Sequence, residues 1–354
     1  MSNPHKRQRT EEAGPSAELT LYNPDDQPPQ TETFRTSTLS HPTMKLTGHK
    51  GSVYALAYSP DGEYLLSSSF DMTCLLWNAS GDCENINVLS GHKNAVLDVA
   101  WTSDGENILT ASADKTIAFW DGHTCERIRR FKGDNGHTAI VNDVDVSPAA
   151  SSLSNKLFVS ASDDGLVKLW DARVKGTAPA MSTFDCEFPV TSVVFGMDGH
   201  SVYSAGIDNC ITAWDLRTGD KSMMIKAHSD TITSLALHPK GTHLLSNSMD
   251  STMKSWDIRP FVPDGTKRHC KTFVGATHNA EKGLLNCAWS SDGNMVTGGS
   301  ADKVVHIWDE MTSEELYYLP GHKGCVNSVV FHPTQNVIAS SSSDKSIYVG
   351  ELSN

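Results

Sequence analysis

The sequence predicts an all-β protein, a single seven-bladed β-propeller that follows a disordered N-terminal arm. A tryptophan follows an aspartate by six residues in six places, and a seventh copy begins at Asp344 with Gly350 in the tryptophan position. The six pairs are Asp71 and Trp77, Asp114 and Trp120, Asp164 and Trp170, Asp208 and Trp214, Asp250 and Trp256, and Asp302 and Trp308. Successive copies lie 42 to 52 residues apart, a spacing typical of four-stranded propeller blades and not of helical repeats.

Length agrees with this architecture, while charge and cysteine usage limit the possible binding partners and the cellular compartment. The 354 residues would suggest two or three domains by length alone, but seven closed blades account for most of them. A net charge of −13 opposes broad contact with a phosphate backbone. We therefore expect no direct DNA binding and at most indirect RNA contact, with room for a local basic patch. The eight cysteines form no Cys-x-x-Cys pair and are interpreted as reduced thiols of the cytosol or nucleus.

Residues 1–40 are predicted to be a disordered polar arm, because they are rich in Pro, Ser, Thr, Gln and charge and offer few apolar side chains to bury. Within the arm, residues 5–9 (His-Lys-Arg-Gln-Arg) form a short basic cluster. It is either a nuclear import signal or a solvated run of charge, and these residues alone do not decide between the two. The propeller is predicted to cover residues 41–354, and no apolar run approaches the roughly 20 residues of a membrane span.

Each repeat from residue 43 onward is predicted to form four short strands. Alternating side chains mark the first strand at residues 53–58, and the Ser-Pro-Asp-Gly turn at residues 59–62 leads to the second. The recurrent aspartate then turns the chain into the tryptophan-bearing third strand, and a polar turn precedes an outer strand such as residues 86–89. The longest repeats place insertions at residues 149–156 and 260–267.

The last repeat lacks residues for its own outer strand, since only three residues follow Glu351. Residues 43–46 precede a Gly-His pair in the same way as residues 86–89 do. We therefore expect the N-terminal strand to close the ring, which removes the unpaired sheet edges that favour aggregation.

A polar set recurs with the tryptophans: a histidine, which follows a glycine in the first three copies, a serine two residues before the aspartate, the aspartate and the tryptophan. The five complete copies are His49, Ser69, Asp71, Trp77; His92, Ser112, Asp114, Trp120; His137, Ser162, Asp164, Trp170; His228, Ser248, Asp250, Trp256; and His278, Ser300, Asp302, Trp308. Ser, His and Asp together suggest nucleophilic catalysis, but one active site does not occur in five copies. The sequence shows no phosphate loop, metal-spaced His/Cys cluster or nucleophile elbow. We therefore predict no catalytic, cofactor-binding or metal-binding residue.

A second set of residues is predicted to ring the mouth of the central channel, on the face that carries the histidine loops and aspartate turns (the histidine face). These residues flank the apolar anchor of each inner strand or directly precede an aspartate. The predicted rim comprises Tyr54, Phe70, Leu97, Ile140, Asp163, Pro189, Ile207, Met249 and Leu285, interspersed with Asn142, Thr233 and Asn327. Exposed aromatic and aliphatic side chains around a polar channel are typical of a protein-docking surface. Alternatively, neighbouring loops cap some of them.

The seven repeats identify the chain as a member of the WD-repeat family. Membership implies that the recurring residues form a buried relay, in which Asp accepts a hydrogen bond from His while His and Ser link the tryptophan strand to its neighbours. A core tolerates such a polar network when every member is satisfied. In the fourth repeat Cys186 and Gly206 replace His and Ser, and the seventh lacks Trp. We expect these two blades to be the least stable.

Four stretches resemble more closely the WD-repeat subunits of the spliceosomal U5 small nuclear ribonucleoprotein. They are residues 76–83, 246–261, 278–285 and 344–352, the last with its unusual Gly350, and the likeness extends over residues 44–352. The resemblance implies a non-catalytic, cofactor-free scaffold in the nucleus that acts in pre-mRNA splicing. It also implies docking on the large core splicing protein, alongside the GTPase and RNA helicase of the U5 particle, as a monomer within a large complex and without a membrane.

A different function remains open from another motif. The segments that end at Arg173, Arg217 and Arg259 read Trp-Asp-x-Arg, similar to a short box by which some propellers bind the adaptor of a cullin-type ubiquitin ligase. The alternative function is therefore that of a substrate receptor for such a ligase. Each arginine can equally be a solvated turn residue or the partner of an acidic neighbour.

Overall fold

The computed structural model describes residues 37–133, 135–148, 156–174, 180–260, 267–279 and 283–352. These residues form seven antiparallel four-stranded sheets, which confirms the predicted all-β, seven-bladed propeller. The described part of the chain contains no helix that is long and apolar enough to cross a membrane. The basic cluster at residues 5–9, most of the arm and most of both predicted insertions lie outside the described residues.

Each sheet is one blade, and the blades are numbered in chain order from the first complete one. Blade 1 consists of β2 (Val53–Tyr58), β3 (Tyr64–Ser69), β4 (Thr73–Asn78) and β5 (Asn85–Ser90); blade 2 of β6 (Val96–Trp101), β7 (Asn107–Ser112), β8 (Ile117–Asp121) and β9 (Arg127–Phe131); blade 3 of β10 (Val141–Val146), β11 (Leu157–Ser162), β12 (Leu166–Asp171) and β13 (Ser182–Asp185); blade 4 of β14 (Val190–Phe195), β15 (Ser201–Gly206), β16 (Cys210–Asp215) and β17 (Lys221–Lys226); blade 5 of β18 (Ile232–Leu237), β19 (His243–Ser248), β20 (Thr252–Asp257) and β21 (His269–Val274); blade 6 of β22 (Cys287–Trp289), β23 (Met295–Gly298), β24 (Val304–Asp309) and β25 (Glu315–Pro320); and blade 7 of β26 (Val326–Phe331), β27 (Val337–Ser342), β28 (Ser346–Glu351) and β1 (Thr43–Thr47).

The first strand of the chain supplies the outer strand of blade 7. β1 runs antiparallel to β28, with Thr43 opposite Gly350 and Thr47 opposite Ser346. The N–H of Glu351 donates to the carbonyl of Pro42 at 2.9 Å, and the hydroxyl of Ser37 donates to the Glu351 carboxylate at 3.0 Å. Blade 7 is therefore built from both ends of the propeller, which joins its first and last strands.

The apolar core is divided into clusters that lie between neighbouring blades, and the repeat tryptophans fill them. Trp77 of blade 1 packs with Ile347 and Val349 of blade 7, and Trp120 of blade 2 packs with Leu66 and Leu76 of blade 1. Trp170, Trp214, Trp256 and Trp308 lie in the next four clusters in the same way. Each tryptophan thus joins its blade to the preceding one by burying a large aromatic surface.

The recurrent aspartate is needed at the turn between the second and third strands. The residue after it adopts a left-handed backbone, as in Met72 (φ 69°) and Lys115 (φ 69°), and blade 3 places a glycine there, Gly165 (φ 80°). This conformation is unfavourable for most residues. The aspartate compensates by accepting backbone N–H groups of the turn, for example that of Thr73 on Asp71 Oδ1 at 3.1 Å.

Side chains in the third position of the inner strands link neighbouring blades around the channel. Each accepts an N–H from the next inner strand, that of the fourth residue in blades 3, 4 and 5 and that of the first residue of the short β22 in blade 6. The links are Asp98 to Val144 at 3.0 Å, Asp143 to Val193 at 2.8 Å, Ser192 to Leu235 at 3.0 Å and Ser234 to Cys287 at 3.3 Å. The channel wall from blade 2 to blade 6 is therefore held by hydrogen bonds as well as by the clusters between blades.

Candidate functional site

The buried relay is seen most simply in blade 1. The indole N–H of Trp77 donates to Ser67 Oγ at 2.9 Å, and Ser67 Oγ lies 2.8 Å from Nε2 of His49. Nδ1 of His49 lies 2.9 Å from the Asp71 carboxylate. Burial lowers the pKa of His49, although its bond to Asp71 acts in the opposite direction. The neutral ring therefore carries its proton on Nδ1, donates to Asp71 and accepts from the Ser67 hydroxyl.

Blades 2, 3 and 5 repeat this geometry. In blade 2, His92 Nδ1 lies 3.0 Å from Asp114, His92 Nε2 lies 2.7 Å from the Thr110 hydroxyl, and the Trp120 indole lies 3.0 Å from that hydroxyl. The same three distances in blade 3 are 3.0, 2.7 and 2.8 Å, for His137 with Asp164, His137 with Ser160 and Trp170 with Ser160. In blade 5 they are 2.9, 2.7 and 2.9 Å, for His228 with Asp250, His228 with Ser246 and Trp256 with Ser246. All of these polar side chains have partners, as a buried network requires.

The serine predicted for the relay is wrong in every blade. The hydroxyl that bridges histidine and tryptophan lies four residues before the aspartate, not two. The serines two residues before the aspartate instead accept the N–H of that aspartate and close the turn, at 3.2 Å for Ser69, 3.1 Å for Ser112, 3.2 Å for Ser162, 3.1 Å for Ser248 and 3.5 Å for Ser300. Ser69, Ser112, Ser162 and Ser248 end their strands, and Ser300 lies two residues beyond the end of β23. The bridging hydroxyl instead lies within its strand beside the indole.

The aspartates of the relay are strongly stabilised as anions. Burial acts to raise the pKa of Asp71, but hydrogen bonds from the Thr73 hydroxyl, the Lys50 N–H and His49 outweigh it and lower the pKa to about 2. The same balance lowers the pKa of Asp344 to about 2. In blade 2 the guanidinium of Arg130 also contacts the Asp114 carboxylate. The carboxylate is therefore a constant acceptor that fixes the orientation of the histidine ring.

Blade 6 departs from the prediction, because His278 is not part of its relay. Nε2 of His278 is buried without a hydrogen-bond partner, and His306 contacts Asp302 in its place, with Nε2 at 2.7 Å. The other ring nitrogen of His306 lies 2.7 Å from Glu315. Gly298 occupies the position of the bridging hydroxyl opposite His306, and the Trp308 indole donates to the Val274 carbonyl at 3.3 Å. Without the hydroxyl, the histidine from the loop has nothing to bridge.

Blades 4 and 7 each keep part of the relay. In blade 4 the Trp214 indole still donates to Ser204 at 2.9 Å, and Cys186 Sγ lies 3.7 Å from the same hydroxyl. In blade 7, His322 contacts Asp344 at 3.2 Å and Ser340 at 2.9 Å. No tryptophan meets Ser340 because Gly350 occupies that position, and Tyr348 packs edge-on against the His322 ring at 4.7 Å.

Most of the predicted rim reaches the surface. Phe70 is 59% exposed, Ile207 45% and Ile140 36%, Asp163 is exposed, and Tyr54, Leu97, Pro189 and Met249 are half-buried. Tyr54, Leu97, Asn142 and Thr233 line one cavity of about 130 Å³ in the channel. The structure thus brings together side chains from blades 1, 2, 3 and 5 at the channel mouth.

Leu285 is the exception, and its assignment to the rim is wrong. Its side chain is buried, while Leu284 lines the channel cavity. β22 is only three residues long, and the backbone before it places the Leu285 carbonyl where Thr233 Oγ1 and Asn247 Nδ2 donate to it, at 2.9 and 3.1 Å. This shift by one residue turns the Leu285 side chain into the core.

The polar residues of the rim are used in holding the blades together. Nδ2 of Asn142 donates to the Val190 carbonyl at 2.8 Å and to Asp163 at 2.7 Å. Nδ2 of Asn327 donates to the Val53 carbonyl at 2.7 Å. The exposed apolar side chains are therefore the part of the rim that is available to a partner. Phe188, 50% exposed beside Pro189, belongs with them and was not predicted, although an aromatic residue before a proline in a loop is a usable signal.

The arginines of the three Trp-Asp-x-Arg segments bind their own aspartates. Nη2 of Arg173 lies 2.7 Å from Asp171, and Nη2 of Arg217 lies 3.2 Å from Asp215; Arg259 contacts Asp257 in the same way. Each arginine also donates its backbone N–H to that aspartate. These residues close the turn after the third strand, on the face opposite the histidine face. The acidic-neighbour interpretation is therefore the one that the geometry supports.

The local basic patch for which the sequence leaves room is present between blades 4 and 5. A groove of about 510 Å³ there is lined by Lys226, Lys254, Lys267, Arg268 and His269. Such clustering attracts anions locally even on a protein of negative net charge.

Comparison with known proteins agrees with the fold and the relay, which together define a WD-repeat propeller. The family described as WD domain, G-beta repeat, matches the chain at residues 40–78, 83–121, 125–171, 180–215, 219–257, 269–309 and 313–349. The human U5 small nuclear ribonucleoprotein 40 kDa protein is 45% identical over 319 residues, which cover 90% of this chain and 86% of the relative. The pre-mRNA-splicing factor cwf17 of Schizosaccharomyces pombe is 40% identical over 90% of both chains. The chain therefore belongs to the WD-repeat proteins and, within them, to the family of the U5 small nuclear ribonucleoprotein 40 kDa protein.

Proposed function

We propose that this protein is a non-catalytic interaction scaffold of the U5 small nuclear ribonucleoprotein, and that it acts in the nucleus in pre-mRNA splicing. The observation that carries the proposal is the 45% identity to the human U5 40 kDa protein over 90% of the chain. A shared repeat motif alone does not produce this level of identity, as a more general relative shows. The plant G-protein β subunit of Zea mays, a more general WD-repeat relative, reaches 29% over 74% of the chain.

The burial of the relay supports a non-catalytic role. Its Ser–His–Asp geometry is that of a hydrolase triad, but the bridging hydroxyls of Ser67, Thr110, Ser160 and Ser246 are fully buried. Each also accepts an indole N–H. A substrate carbonyl cannot approach an oxygen that is enclosed in this way, so the relay orients strands and does not supply a nucleophile.

The rim supports a role in protein docking. Affinity in protein interfaces comes mainly from a few apolar or aromatic anchors on a well-ordered surface, and Phe70, Tyr54 and Leu97 lie on neighbouring blades at the channel mouth. We propose that this surface meets the large core splicing protein of the U5 particle. The GTPase and RNA helicase of the particle are then neighbours in the same complex, in which the propeller is present as a monomer.

The test is purification of the tagged full-length protein from nuclear extract under mild salt. We expect the large core splicing protein and U5 small nuclear RNA to be recovered in near-stoichiometric amounts. A parallel purification with a tagged G-protein β subunit controls for generic propeller binding. Recovery of a cullin ligase adaptor without any U5 component would contradict the proposal and favour the ligase-receptor alternative.

A further inference from the structure

One interface between blades lacks the tryptophan that fills the other six. The cluster between blades 6 and 7 contains Val305, Ile307, Val326, Val329, Ile338 and Leu352. The partly buried Tyr317 and Phe331 pack against it, but no tryptophan belongs to it. The position that should supply it is Gly350. A Cβ atom at Gly350 would lie 3.9 Å from its nearest non-neighbouring atoms, Pro42 O and Thr43 Oγ1. Space for a side chain is therefore open at this position.

A cavity of about 200 Å³ lies beside Gly350. Its lining includes Val305, Leu319, Ile338, Ser340 and Gly350, and also His322, Tyr348 and Glu351. The Tyr348 ring takes up part of the space that the tryptophans fill in the other interfaces, and the cavity is the part that remains open. In blade 1, a Cβ at Gly48 would lie 3.1 Å from the Trp77 ring, whereas at Gly321, the equivalent glycine of blade 7, the nearest atoms are ring atoms of Tyr348 at 3.8 Å.

Ser340 gives the cavity a hydrogen-bond acceptor. Ser340 Oγ lies 2.9 Å from Nε2 of His322, so its hydroxyl proton is directed to the histidine, as in the other blades. In blades 1, 2, 3 and 5 the same oxygen accepts an indole N–H at 2.8 to 3.0 Å. In blade 7 the glycine leaves that acceptor direction without an indole. The other walls combine aliphatic side chains with His322, Tyr348 and Glu351.

The cavity also has an entrance. Thr43 and the adjacent Pro320 and Gly321 line it and are exposed, so it opens at the outer edge of the propeller between β1 and the loop after β25. A ligand can enter there without separation of the blades. Apolar cavities of about 150 Å³ remain dry and bind benzene, so this larger one offers room for a larger ring.

We propose that this cavity is a binding site for a planar aromatic group of about the size of indole that carries one N–H or O–H donor for Ser340. Aliphatic side chains of the cavity contact the bound ring, as side chains in the other six interfaces contact the tryptophans. Ser340 Oγ accepts the hydrogen bond from the N–H or O–H of the ligand. The same chemistry is available from a free aromatic molecule and from a tryptophan side chain of a bound protein. The site is independent of the splicing role and is tested on the isolated protein.

The test is titration of the purified full-length protein with indole, followed by calorimetry and by thermal melting. We expect saturable binding at one site per chain and a rise in Tm with ligand concentration, because a ligand that binds only the folded state stabilises it. Gly350→Trp should abolish binding, since the new indole occupies the cavity, and should keep or raise the Tm without ligand. Gly350→Leu places a smaller side chain in the cavity and should weaken binding at least tenfold. This variant provides the test if the tryptophan variant does not fold.

Two further measurements complete the test. Trp77→Gly should create an equivalent cavity in blade 1 and raise the indole stoichiometry from one to two. Titration with N-acetyl-tryptophanamide separates the two sources: binding of both compounds supports a side chain of a protein partner, whereas binding of indole alone supports a free aromatic molecule. No saturable binding of either compound, or equal binding by wild type and Gly350→Trp, would overturn the proposal. Neither result bears on co-purification with U5 components.

Discussion

A single hydroxyl in each blade decides whether histidine and tryptophan are linked. In blade 2, Thr110 and Ser112 are both completely buried hydroxyl residues of β7. Only Thr110 accepts the Trp120 indole and contacts His92. Ser112 donates to the Ala95 carbonyl at 2.8 Å and accepts the Asp114 N–H. Two neighbouring positions with the same chemistry therefore have different roles.

We expect Thr110→Val to lower the free energy of unfolding by about 2 kcal/mol or more, because it leaves both the indole N–H and the histidine nitrogen buried without a partner. Valine keeps the shape of threonine, so packing is preserved. Ser112→Ala is the matched control and should cost about 1 kcal/mol, since the Ala95 carbonyl keeps the Ala113 N–H as a donor and only the Asp114 N–H loses its acceptor. Urea denaturation of both variants measures the difference, and an equal or reversed order would contradict the assigned roles.

The sequence could not distinguish these two hydroxyls. Side chains two residues apart on a strand point to the same face, and which one meets the indole depends on the register between strands, with Ile108 opposite Trp120. The structures of blades 4 and 6 show which of the two positions meets the indole. Blade 4 has Gly206 in the predicted serine position yet keeps the Ser204–Trp214 bond, whereas blade 6 has Ser300 but loses the link at Gly298.

The carboxyl group of Asp145 in the channel makes the free energy of unfolding fall as pH rises. Burial raises the pKa of Asp145 to about 7, assisted by the nearby charge of Asp143, and bonds from the N–H groups of Phe195 and Val146 only partly offset it. The folded state therefore binds a proton that the unfolded chain releases above about pH 4. By linkage, this group stabilises the fold at low pH and loses that contribution as pH rises from about 4 to 7.

Asp145→Asn should remove this contribution while keeping an oxygen that accepts the Phe195 N–H. The informative quantity is the difference in free energy of unfolding between wild type and variant, measured from pH 4.5 to 7.5. Buried histidines whose pKa values burial lowers, such as His49, His228 and His322, affect both proteins equally and cancel in this difference. We expect the difference to shift steadily against the wild type as pH rises. A difference that is constant over this range would show that Asp145 is ionised throughout.

At the scale of the blade, the relay can lose or exchange individual residues while the blade still forms. The aspartate and its turn recur in all seven blades, because the left-handed residue that follows needs them, and the sequence predicted these turns correctly from spacing alone. The histidine is less constrained. In blade 6 the loop histidine, His278, is displaced by His306, whose ring stacks on Trp308 with centroids 5.6 Å apart. A threonine precedes His278, whereas the histidines that contact the aspartate from this loop in the other blades follow a glycine or, at His228, an alanine.

This difference predicts unequal effects of histidine removal. His278→Ala should change the free energy of unfolding by no more than about 0.5 kcal/mol, because it deletes a ring nitrogen that already lacks a partner. His92→Ala should cost about 1 to 3 kcal/mol, since it leaves Asp114 and Thr110 without their partner. Chemical denaturation of the two variants under the same conditions gives the comparison. A large loss for His278→Ala would restore that residue to a structural role.

At the scale of the whole molecule, ring closure by β1 and the links between inner strands fix the rim before any partner binds. Asn142 and Asn327 tie the channel mouth of blade 3 to blade 4 and that of blade 7 to blade 1. A preformed surface spends little free energy on ordering when it binds. The sequence predicted which blades contribute to this surface, because inner strands recur at a fixed place in the repeat. It could not predict the one-residue shift before β22, which depends on the bonds that Leu285 accepts.

The proposed docking role of the rim can be tested separately from the fold. Phe70 and Tyr54 lie on blade 1 outside the relay of His49, Ser67, Asp71 and Trp77, so the double variant Phe70→Ser, Tyr54→Ser should melt within a few degrees of wild type. It should nevertheless recover far less of the large core splicing protein in a pull-down, because loss of a central aromatic anchor typically costs about 2 kcal/mol or more in binding.

The matched control is the triple variant Arg173→Ala, Arg217→Ala, Arg259→Ala on the opposite face. Each of these arginines pairs with an aspartate in its own turn and is more than half exposed, and exposed pairs contribute little to stability. We therefore expect the triple variant to keep both its fold and its partner. If it loses the large core splicing protein while the rim variant retains it, docking uses the face of the turns that follow the third strands, and the apolar rim must be assigned to another partner.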